Sequence, residues 1–288
     1  MQDRYIAIND LRLHYLEWGE PGRRPFLLLH GLSGFAHDWD PLCRALEGEY
    51  HLLALDQRGF GDSDYSRDHA YSVSDFAHDV SELQETLGLD NMVLCGHSLG
   101  GRVAIHYASQ HPTWVGQLIL VDAGPEVAPA GAARVRQAIA GVPARFASLD
   151  ALAAHFRPAY AALPDDQYRA RIEHYARPLP DGGYTIKRDP VFGERLARVA
   201  RGEGGPPAEP DTWPLLGQLE CPILLLRGAR SDVLTPEIVA RMQAEASSLR
   251  VEEIPAAGHN IPADAPAAME AAIRRFLADT RPFAQPSR

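Results

Sequence analysis

A serine set between two glycines is the side chain of this sequence best suited to covalent chemistry. Gly96, Ser98 and Gly100 form a G-x-S-x-G pattern between an apolar run at residues 92–95 and a helical pattern that reaches residue 110. Small neighbours permit a sharp strand-to-helix turn that exposes the hydroxyl, and the first N–H groups of the following helix stabilise negative charge beside it. We therefore expect Ser98 to be a nucleophile.

A second glycine-rich loop follows the short apolar run at residues 26–29 and contains His30, Gly31 and Leu32. Loops at the C-terminal ends of parallel strands face the ligands of open α/β sheets, and their backbone N–H groups can bind negative charge. The N–H of Leu32 is therefore a candidate oxyanion donor. We expect His30 to support the loop, and we take His30 and Gly31 as candidate substrate contacts.

The hydrophobic pattern predicts an α/β fold around these loops. Short, continuously apolar runs are typical of strands buried on both faces, and they occur at residues 26–29, 51–55, 92–95, 118–121 and 222–226. Between them, apolar residues recur at helical spacings, as from Val73 to Leu87. Residues 5–8 and 11–18 flank a polar turn and predict an antiparallel hairpin at one edge of the sheet. Strands that alternate with helices predict a mostly parallel sheet covered on both faces.

The pattern changes between residues 124 and 213. This segment is rich in Ala, Arg and Pro, has helical stretches and lacks the short apolar runs of strands. It therefore predicts a helical insertion. The predicted organisation is one α/β core in two parts, residues 1–123 and 214–288, interrupted by residues 124–213.

The composition excludes several classes of partner. The chain has 288 residues and a formal net charge of −10 without a basic patch, which disfavours nucleic acid. The N-terminus lacks the layout of a signal peptide and no apolar run is long enough to cross a bilayer, so we expect a cytoplasmic protein that does not bind membranes. The three cysteines lack metal-binding spacing and predict buried apolar residues, and the sequence predicts neither a metal nor a cofactor.

Taken together, these motifs resemble the α/β-hydrolase fold family. The resemblance rests on the hairpin, His30-Gly31, the loop Asp56-x-Arg58-Gly59-x-Gly61-x-Ser63, the serine motif, the strand that ends in residues 228–232, and Gly258-His259. It covers almost the whole chain outside residues 124–213. It implies an eight-stranded, mostly parallel sheet with a helical cap inserted after the sixth strand, over a pocket at the C-terminal ends of the strands.

The resemblance also implies a catalytic triad. A serine hydroxyl needs a base during attack, and His259, on a glycine-flanked loop after the last strand, is the candidate. The acid that orients the imidazole follows the serine and precedes the histidine in this family, and Asp232 matches its position. Asp122 also ends a strand and is the alternative acid. The N–H groups of Leu32 and Leu99 are the implied oxyanion donors.

The implied activity is that of a serine hydrolase acting on a small molecule without a metal or cofactor. Relatives that open epoxides or displace halide use an aspartate at the position of Ser98, which excludes both reactions here. A carboxylesterase or lactonase that forms an acyl-enzyme is the favoured interpretation. A hydrolase of C–C or amide bonds in carboxylated products of ring degradation is the alternative, and a non-catalytic ligand-binding protein on the same fold is a third hypothesis.

Two cationic residues of the insertion, Lys187 and Arg188, are candidates for binding a substrate carboxylate. A solvated charge cluster is favoured over that role because exposed Lys and Arg seldom have a dedicated partner. The sequence leaves the oligomeric state open, with a homodimer as one alternative.

Overall fold

The computed structural model describes residues 1–203 and 211–282, which form the predicted α/β fold. Its strands are β1 (Gln2–Ile8), β2 (Leu11–Trp18), β3 (Pro25–Leu29), β4 (His51–Asp56), β5 (Met92–His97), β6 (Val115–Val121), β7 (Ala176–Pro178), β8 (Tyr184–Ile186), β9 (Ile223–Gly228) and β10 (Leu249–Ile254). An eight-stranded sheet has the order β1-β2-β4-β3-β5-β6-β9-β10, and β7 pairs with β8 separately. The pairs β1–β2 and β2–β4 are antiparallel, and the remaining pairs of the large sheet are parallel.

Helices follow most strands. They are α1 (Asp40–Leu46), α2 (Val73–Leu87), α3 (Leu99–Gln110), α4 (Pro129–Ala140), α5 (Leu149–Phe156), α6 (Asp165–Tyr175), α7 (Pro190–Ala200), α8 (Trp213–Leu216), α9 (Pro236–Glu245), α10 (Ile261–Asp264) and α11 (Pro266–Asp279). Short 3₁₀ helices cover Ala36–Trp39 and Arg157–Tyr160. Within the described ranges, no helix is both long and apolar enough to cross a membrane.

Alternate residues of the central strands face opposite layers of helices. On β3, Leu27 and Leu29 belong to one buried cluster with side chains of α2 and α3, whereas Phe26 and Leu28 belong to another with side chains of α1 and α11. These four β3 side chains are fully buried. A strand covered on both faces gives an unbroken apolar run in the sequence, which explains why the pattern identified these strands.

The predicted hairpin is present at the edge of the sheet. Asn9 and Asp10 connect β1 to β2 with φ angles of +50° and +58°. Both residue types tolerate this left-handed conformation better than most, because their short polar side chains bond to the local backbone. The hairpin therefore lies at one edge of the sheet, as the sequence pattern predicted, and β1 is the edge strand.

The segment between β6 and β9 is not purely helical. It contains α4 to α7, in agreement with the helical pattern, but also the antiparallel pair β7–β8, which the pattern did not predict. Each of these two strands has three residues, too few to show an alternating pattern. The domain boundaries at residues 123 and 213 remain a prediction.

Candidate active site

Ser98 occupies the turn between β5 and α3. Its φ of +52° and ψ of −115° are rarely adopted by residues with a side chain. The Ser98 N–H donates to the Val121 carbonyl oxygen at 3.1 Å, which ties the turn to β6. Strained backbone of this kind persists only where the surrounding structure holds it, and it is typical of functional turns. The sharp turn predicted at the serine motif is therefore present.

Close backbone packing explains the glycines around Ser98. A β-carbon at Gly96 would lie 2.2 Å from the Gly100 carbonyl oxygen, and one at Gly100 would lie 2.3 Å from the Leu29 carbonyl oxygen. These neighbours are backbone atoms that cannot move aside independently. A larger residue at either position would therefore push the start of α3 away from the sheet.

His259 lies beside Ser98, with its Nε2 atom 3.0 Å from Ser98 Oγ. The Gly258 N–H donates to Asp264 Oδ2 at 2.8 Å, and the His259 carbonyl oxygen lies 2.9 Å from His97 Nε2. Burial lowers the pKa of His97 to about 3, so this ring is neutral and its Nε2–H donates to the carbonyl. The backbone on both sides of the His259 ring is thus held by hydrogen bonds.

Asp122 completes a hydrogen-bonded chain. Its Oδ2 atom is 2.7 Å from His259 Nδ1, and the fully buried carboxylate also accepts from the Ser231 hydroxyl at 2.6 Å and the Gly228 N–H at 2.9 Å. A carboxylate at this nitrogen places the imidazole proton on Nδ1. His259 Nε2 is then free to accept the proton of the Ser98 hydroxyl.

The prediction that Asp232 contacts His259 is wrong. The Asp232 carboxylate instead makes two hydrogen bonds to Arg134 of α4, at 2.5 and 2.7 Å, and its side chain is 37% exposed. The hydrogen bonds from Arg134 lower the pKa of Asp232. Asp122 directly follows β6, whereas Asp232 lies several residues beyond β9, where Ser231 takes the inward position. The alternative acid, Asp122, is the one that meets His259.

The loop after β3 lies against the serine turn. A β-carbon at Gly31 would lie 3.2 Å from the Ser98 β-carbon, and Gly31 and Leu32 both line the cavity in front of Ser98. Leu99 is the first residue of α3, where N–H groups have no acceptor within the helix. The N–H groups of Leu32 and Leu99 remain the predicted oxyanion donors.

His30 supports this loop from behind. It is 1% exposed, its Nδ1 atom is 2.7 Å from the Gly31 carbonyl oxygen, and its Nε2 atom accepts the Gln57 N–H at 3.1 Å. Both ring nitrogens are therefore engaged within the protein. The supporting role predicted for His30 is confirmed, and its predicted contact with substrate is wrong because the ring is enclosed.

A cavity of about 570 Å³ opens in front of Ser98 and His259. Three of the side chains that line it, Arg134, Tyr160 and Asn260, were not identified from the sequence. Arg134 and Tyr160 belong to the inserted segment, so their approach to Ser98 depends on how that segment packs on the core. A sequence pattern of period two or 3.6 carries no signal of this packing.

The lining of this cavity, as far as the structure describes the chain, includes neither Lys187 nor Arg188. Lys187 Nζ lies 2.6 Å from Asp62 Oδ2. Arg188 is buried, and its Nη2 atom lies 3.4 Å from the Ile139 carbonyl oxygen. Neither residue is therefore placed to bind a substrate carboxylate in front of Ser98, and Arg188 is not the solvated charge that the sequence favoured.

His14 of β2, Asp56 at the end of β4 and Asp62 of the following loop have the chemistry of metal ligands. Atoms of His14, Asp56 and Asp62 lie within 4.8 Å of one another. His14 Nδ1 is 2.7 Å from Asp56 Oδ2, and the N–H groups of Ala36 and Asp62 donate to the Asp56 carboxylate at 2.6 and 2.9 Å. These bonds already engage His14 Nδ1 and both carboxylate oxygens of Asp56. We infer that this cluster holds the loop after β4 in place.

Several known proteins are similar to this chain over most of its length. A sequence model of the alpha/beta hydrolase fold matches residues 24–266. The 3-hydroxybutyrate-oligomer hydrolase of Cupriavidus necator is 30% identical over 256 residues, which cover 86% of this chain and 87% of that protein. The 2-(acetamidomethylene)succinate hydrolase of Mesorhizobium japonicum is 27% identical over 259 residues and 90% of each chain. An esterase of Mycobacterium tuberculosis is 29% identical over 277 residues, 92% of this chain and 86% of that protein.

Solved structures extend the similarity to three dimensions. The crystal structure of E-2-(acetamidomethylene)succinate hydrolase has a TM-score of 0.84 at 26% identity and covers 96% of this chain and 99% of that one. A structure of the Mycobacterium tuberculosis esterase has a TM-score of 0.77 at 26% identity and covers 97% of this chain and 92% of that one. The similarity therefore includes most of the inserted segment as well as the core.

Proposed function

The chain belongs to the α/β-hydrolase fold family, and from that premise we propose that it is a serine hydrolase that cleaves a small-molecule ester or lactone through an acyl-enzyme. The observation that carries this proposal is the hydrogen-bonded chain from Asp122 through His259 to Ser98, with distances of 2.7 and 3.0 Å. A nucleophile within reach of a base that a third group orients is the arrangement that nucleophilic catalysis requires.

In the first half of the proposed reaction, Ser98 Oγ attacks the ester carbonyl carbon while His259 Nε2 takes the hydroxyl proton. The carbonyl electron pair moves onto oxygen, where the N–H groups of Leu32 and Leu99 stabilise the oxyanion. When this intermediate collapses, the bond to the alcohol oxygen breaks and His259 gives its proton to the leaving alcohol. Asp122 stabilises the imidazolium while it exists.

In the second half, water takes the place of the alcohol. His259 removes a proton from the water as its oxygen attacks the acyl carbon, and the oxyanion forms at the same donors. Collapse releases the carboxylic acid and returns the proton to Ser98 Oγ. Water is the only second reactant that this cycle consumes.

Covalent labelling tests the nucleophile. A fluorophosphonate should add one adduct to the wild-type protein and none to Ser98→Ala, as read by intact-mass spectrometry. Ser33→Ala is the matched control, because Ser33 lines the same cavity without belonging to the triad, and it should be labelled like the wild type. Active wild-type protein without an adduct would contradict the proposal.

Two of the relatives support an ester as the substrate. One is named for the hydrolysis of 3-hydroxybutyrate oligomers and the other as an esterase, and both are similar over most of this chain. A carboxylesterase or lactonase is therefore the activity that we propose first. A panel of short and long p-nitrophenyl esters and lactones, run on the wild type and on Ser98→Ala, measures it directly.

A hydrolase of amide or C–C bonds in a carboxylated compound is the second candidate. The name of the Mesorhizobium relative describes a substrate with an amide and two carboxylates. Arg230 lines the cavity in front of Ser98 and donates to the Ala256 carbonyl oxygen rather than to a carboxylate, which supports binding of an anionic substrate there. Amides and vinylogous 1,5-diketones with a carboxylate should be added to the panel, and a higher kcat/KM for them than for every ester would favour this candidate.

A further inference from the structure

A second cavity, of about 300 Å³, adjoins the one in front of Ser98. Asp38, Tyr160 and Asn260 line both cavities, and Asn260 directly follows His259 in the chain. The same three side chains therefore stand between the two spaces. A linear molecule with its reacting carbonyl at Ser98 would reach the second cavity by passing these three side chains.

Arg171 of α6 lines the second cavity. Its side chain is 6% exposed, and its Nε–H donates to Asp38 Oδ1 at 2.8 Å. Its Nη1 and Nη2 atoms are buried and have no hydrogen-bond partner among the described residues. Buried donors without an acceptor destabilise a fold. We therefore expect the unpaired N–H groups of Arg171, a residue that lines the cavity, to have a ligand.

Two other arginines of this chain form complete ion pairs, with two nitrogens bonded to one carboxylate. Arg58 and Arg134 each direct Nε and Nη2 to the two oxygens of one carboxylate. Arg171 directs only Nε to Asp38, whose other carboxylate oxygen accepts the Phe35 N–H at 3.2 Å. Asp38 therefore leaves the two terminal nitrogens of Arg171 available to another acceptor.

Aromatic rings cover the faces of the Arg171 guanidinium. Its Cζ atom lies 3.9 Å from the ring centre of Tyr160, 4.9 Å from that of Tyr175 and 5.0 Å from that of Phe35. The rings hold the plane of the group and exclude acceptors from its faces. An acceptor must then approach in the plane, and a carboxylate suits this geometry because its two oxygens accept two parallel N–H bonds.

Charged side chains of both signs line the second cavity. Its two carboxylates are already bonded, Asp38 to Arg171 and Asp40 to His37 Nδ1 at 2.9 Å. Arg44 lines the same cavity, is exposed, and forms no ion pair within the described part of the chain. Arg44 is therefore a second cation at this wall that no described carboxylate holds.

We propose that the second cavity is a subsite for a carboxylate group of the substrate, held by Nη1 and Nη2 of Arg171. The inference rests on the proposed function for the reacting carbonyl, and it narrows the substrate class to a linear ester that carries an acid group. The acid can belong to the acyl part or to the alcohol part, and the experiment separates these two sources.

Binding without turnover tests the subsite first. Glutarate is titrated calorimetrically into Ser98→Ala protein, with neutral glutaramide as the comparison ligand. Glutarate should bind saturably at millimolar concentrations and more tightly than glutaramide. In the double variant Ser98→Ala/Arg171→Gln, the affinity for glutarate should be at least about tenfold lower, because charge-assisted bonds to both carboxylate oxygens are lost. Arg169→Gln, an exposed arginine on the same helix, should leave the titration unchanged. Glutarate that binds equally well with Arg171→Gln, or not at all, overturns the proposal.

Turnover then shows which part of the substrate carries the acid. Mono-p-nitrophenyl glutarate is compared with p-nitrophenyl pentanoate for an acid on the acyl side, and 3-acetoxybutanoate with its methyl ester for an acid on the alcohol side. For one of these two pairs, kcat/KM for the acid divided by kcat/KM for its neutral ester should be at least about tenfold lower in Arg171→Gln than in the wild type. In Arg171→Lys this ratio should partly recover. Ratios that stay at the wild-type value in both pairs contradict a substrate-binding role.

A second variant keeps the test valid if Arg171→Gln fails to fold. Ala170 is exposed and lines the second cavity, so Ala170→Phe should fill the space without removing a buried side chain. It should weaken glutarate binding as Arg171→Gln does, and unchanged binding overturns the proposal. If no ester is hydrolysed at all, the proposed function fails, whereas the glutarate titration still decides the role of Arg171.

Discussion

The sheet edge and the inserted segment hold their charged side chains in different ways. At the sheet edge, the Asp122 carboxylate is fully buried and accepts bonds from His259, Ser231 and Gly228. In the inserted segment, ion pairs such as Arg145–Asp181 are largely exposed to solvent. A buried carboxylate with every donor in place fixes its partners, whereas exposed pairs of long side chains constrain little.

This difference separates two tasks. The sheet edge holds one arrangement of nucleophile, base and acid, which suits a single chemical step repeated on different compounds. The inserted segment supplies Arg171 to the cavity that adjoins the one in front of Ser98, and its two terminal nitrogens, which have no partner among the described residues, can select a substrate. We therefore expect substitutions at the sheet edge to reduce turnover of every substrate and those in the segment to change which substrate is preferred.

The largest effect is expected for His259→Ala. Without the base, Ser98 loses the group that takes its proton, so kcat should fall by at least about a thousandfold. His78→Ala, an exposed histidine on α2, should keep wild-type turnover. Steady-state kinetics on an ester and a thermal melt of each variant measure this. Near-normal turnover in His259→Ala would move the role of base to another group.

The next effect compares a buried ion pair with an exposed one. Arg58 and Asp79 are both buried, so Arg58→Gln leaves an uncompensated carboxylate and should cost about 3–5 kcal/mol of unfolding free energy. Arg134 and Asp232 are half-exposed, so Arg134→Gln should cost about 1 kcal/mol or less. Chemical denaturation of both variants measures the difference. Equal losses would show that the two regions do not differ in how they use charge.

A smaller effect is expected from the pH dependence of stability. Burial lowers the pKa of His97 from 6.5 to about 3, so between these values the unfolded chain binds a proton that the folded chain does not. Stability should therefore fall as the pH drops below 6.5, and His97→Gln should reduce this fall. Urea denaturation of the wild type and of His97→Gln at pH 7 and pH 5 measures this fall in stability. An identical fall in both proteins would contradict a lowered pKa of His97.

The sequence predicted the core well because its strands are buried on both faces. Runs such as residues 26–29 and 118–121 have no other simple interpretation at that length, and the observed β3 and β6 contain them. The serine motif and the late Gly258-His259 pair also carried a usable signal, since each requires glycine next to a reactive side chain. The local sequence was therefore sufficient to identify these two side chains.

Asp122 and Asp232 show where sequence reasoning failed. Both follow strands of the same sheet, and nothing in the local pattern says which carboxylate turns inward and which meets an arginine of α4. The same limit applies to Arg134 and Arg171, whose positions depend on the packing of the inserted segment on the core. Long-range contacts decided all of these roles, and one sequence does not contain a periodic signal of them.

The central claim, that the Ser98–His259 pair is oriented by Asp122, is tested most directly by kcat for Asp122→Asn and Asp232→Asn measured side by side on one ester. The amide of Asp122→Asn cannot hold the imidazole in the required tautomer, so kcat should fall by about 10⁴-fold with the fold intact. Asp232→Asn should remain within a few-fold of the wild type because Asp232 bonds to Arg134 and not to His259. A small loss in Asp122→Asn together with a loss of several orders of magnitude in Asp232→Asn would contradict the account.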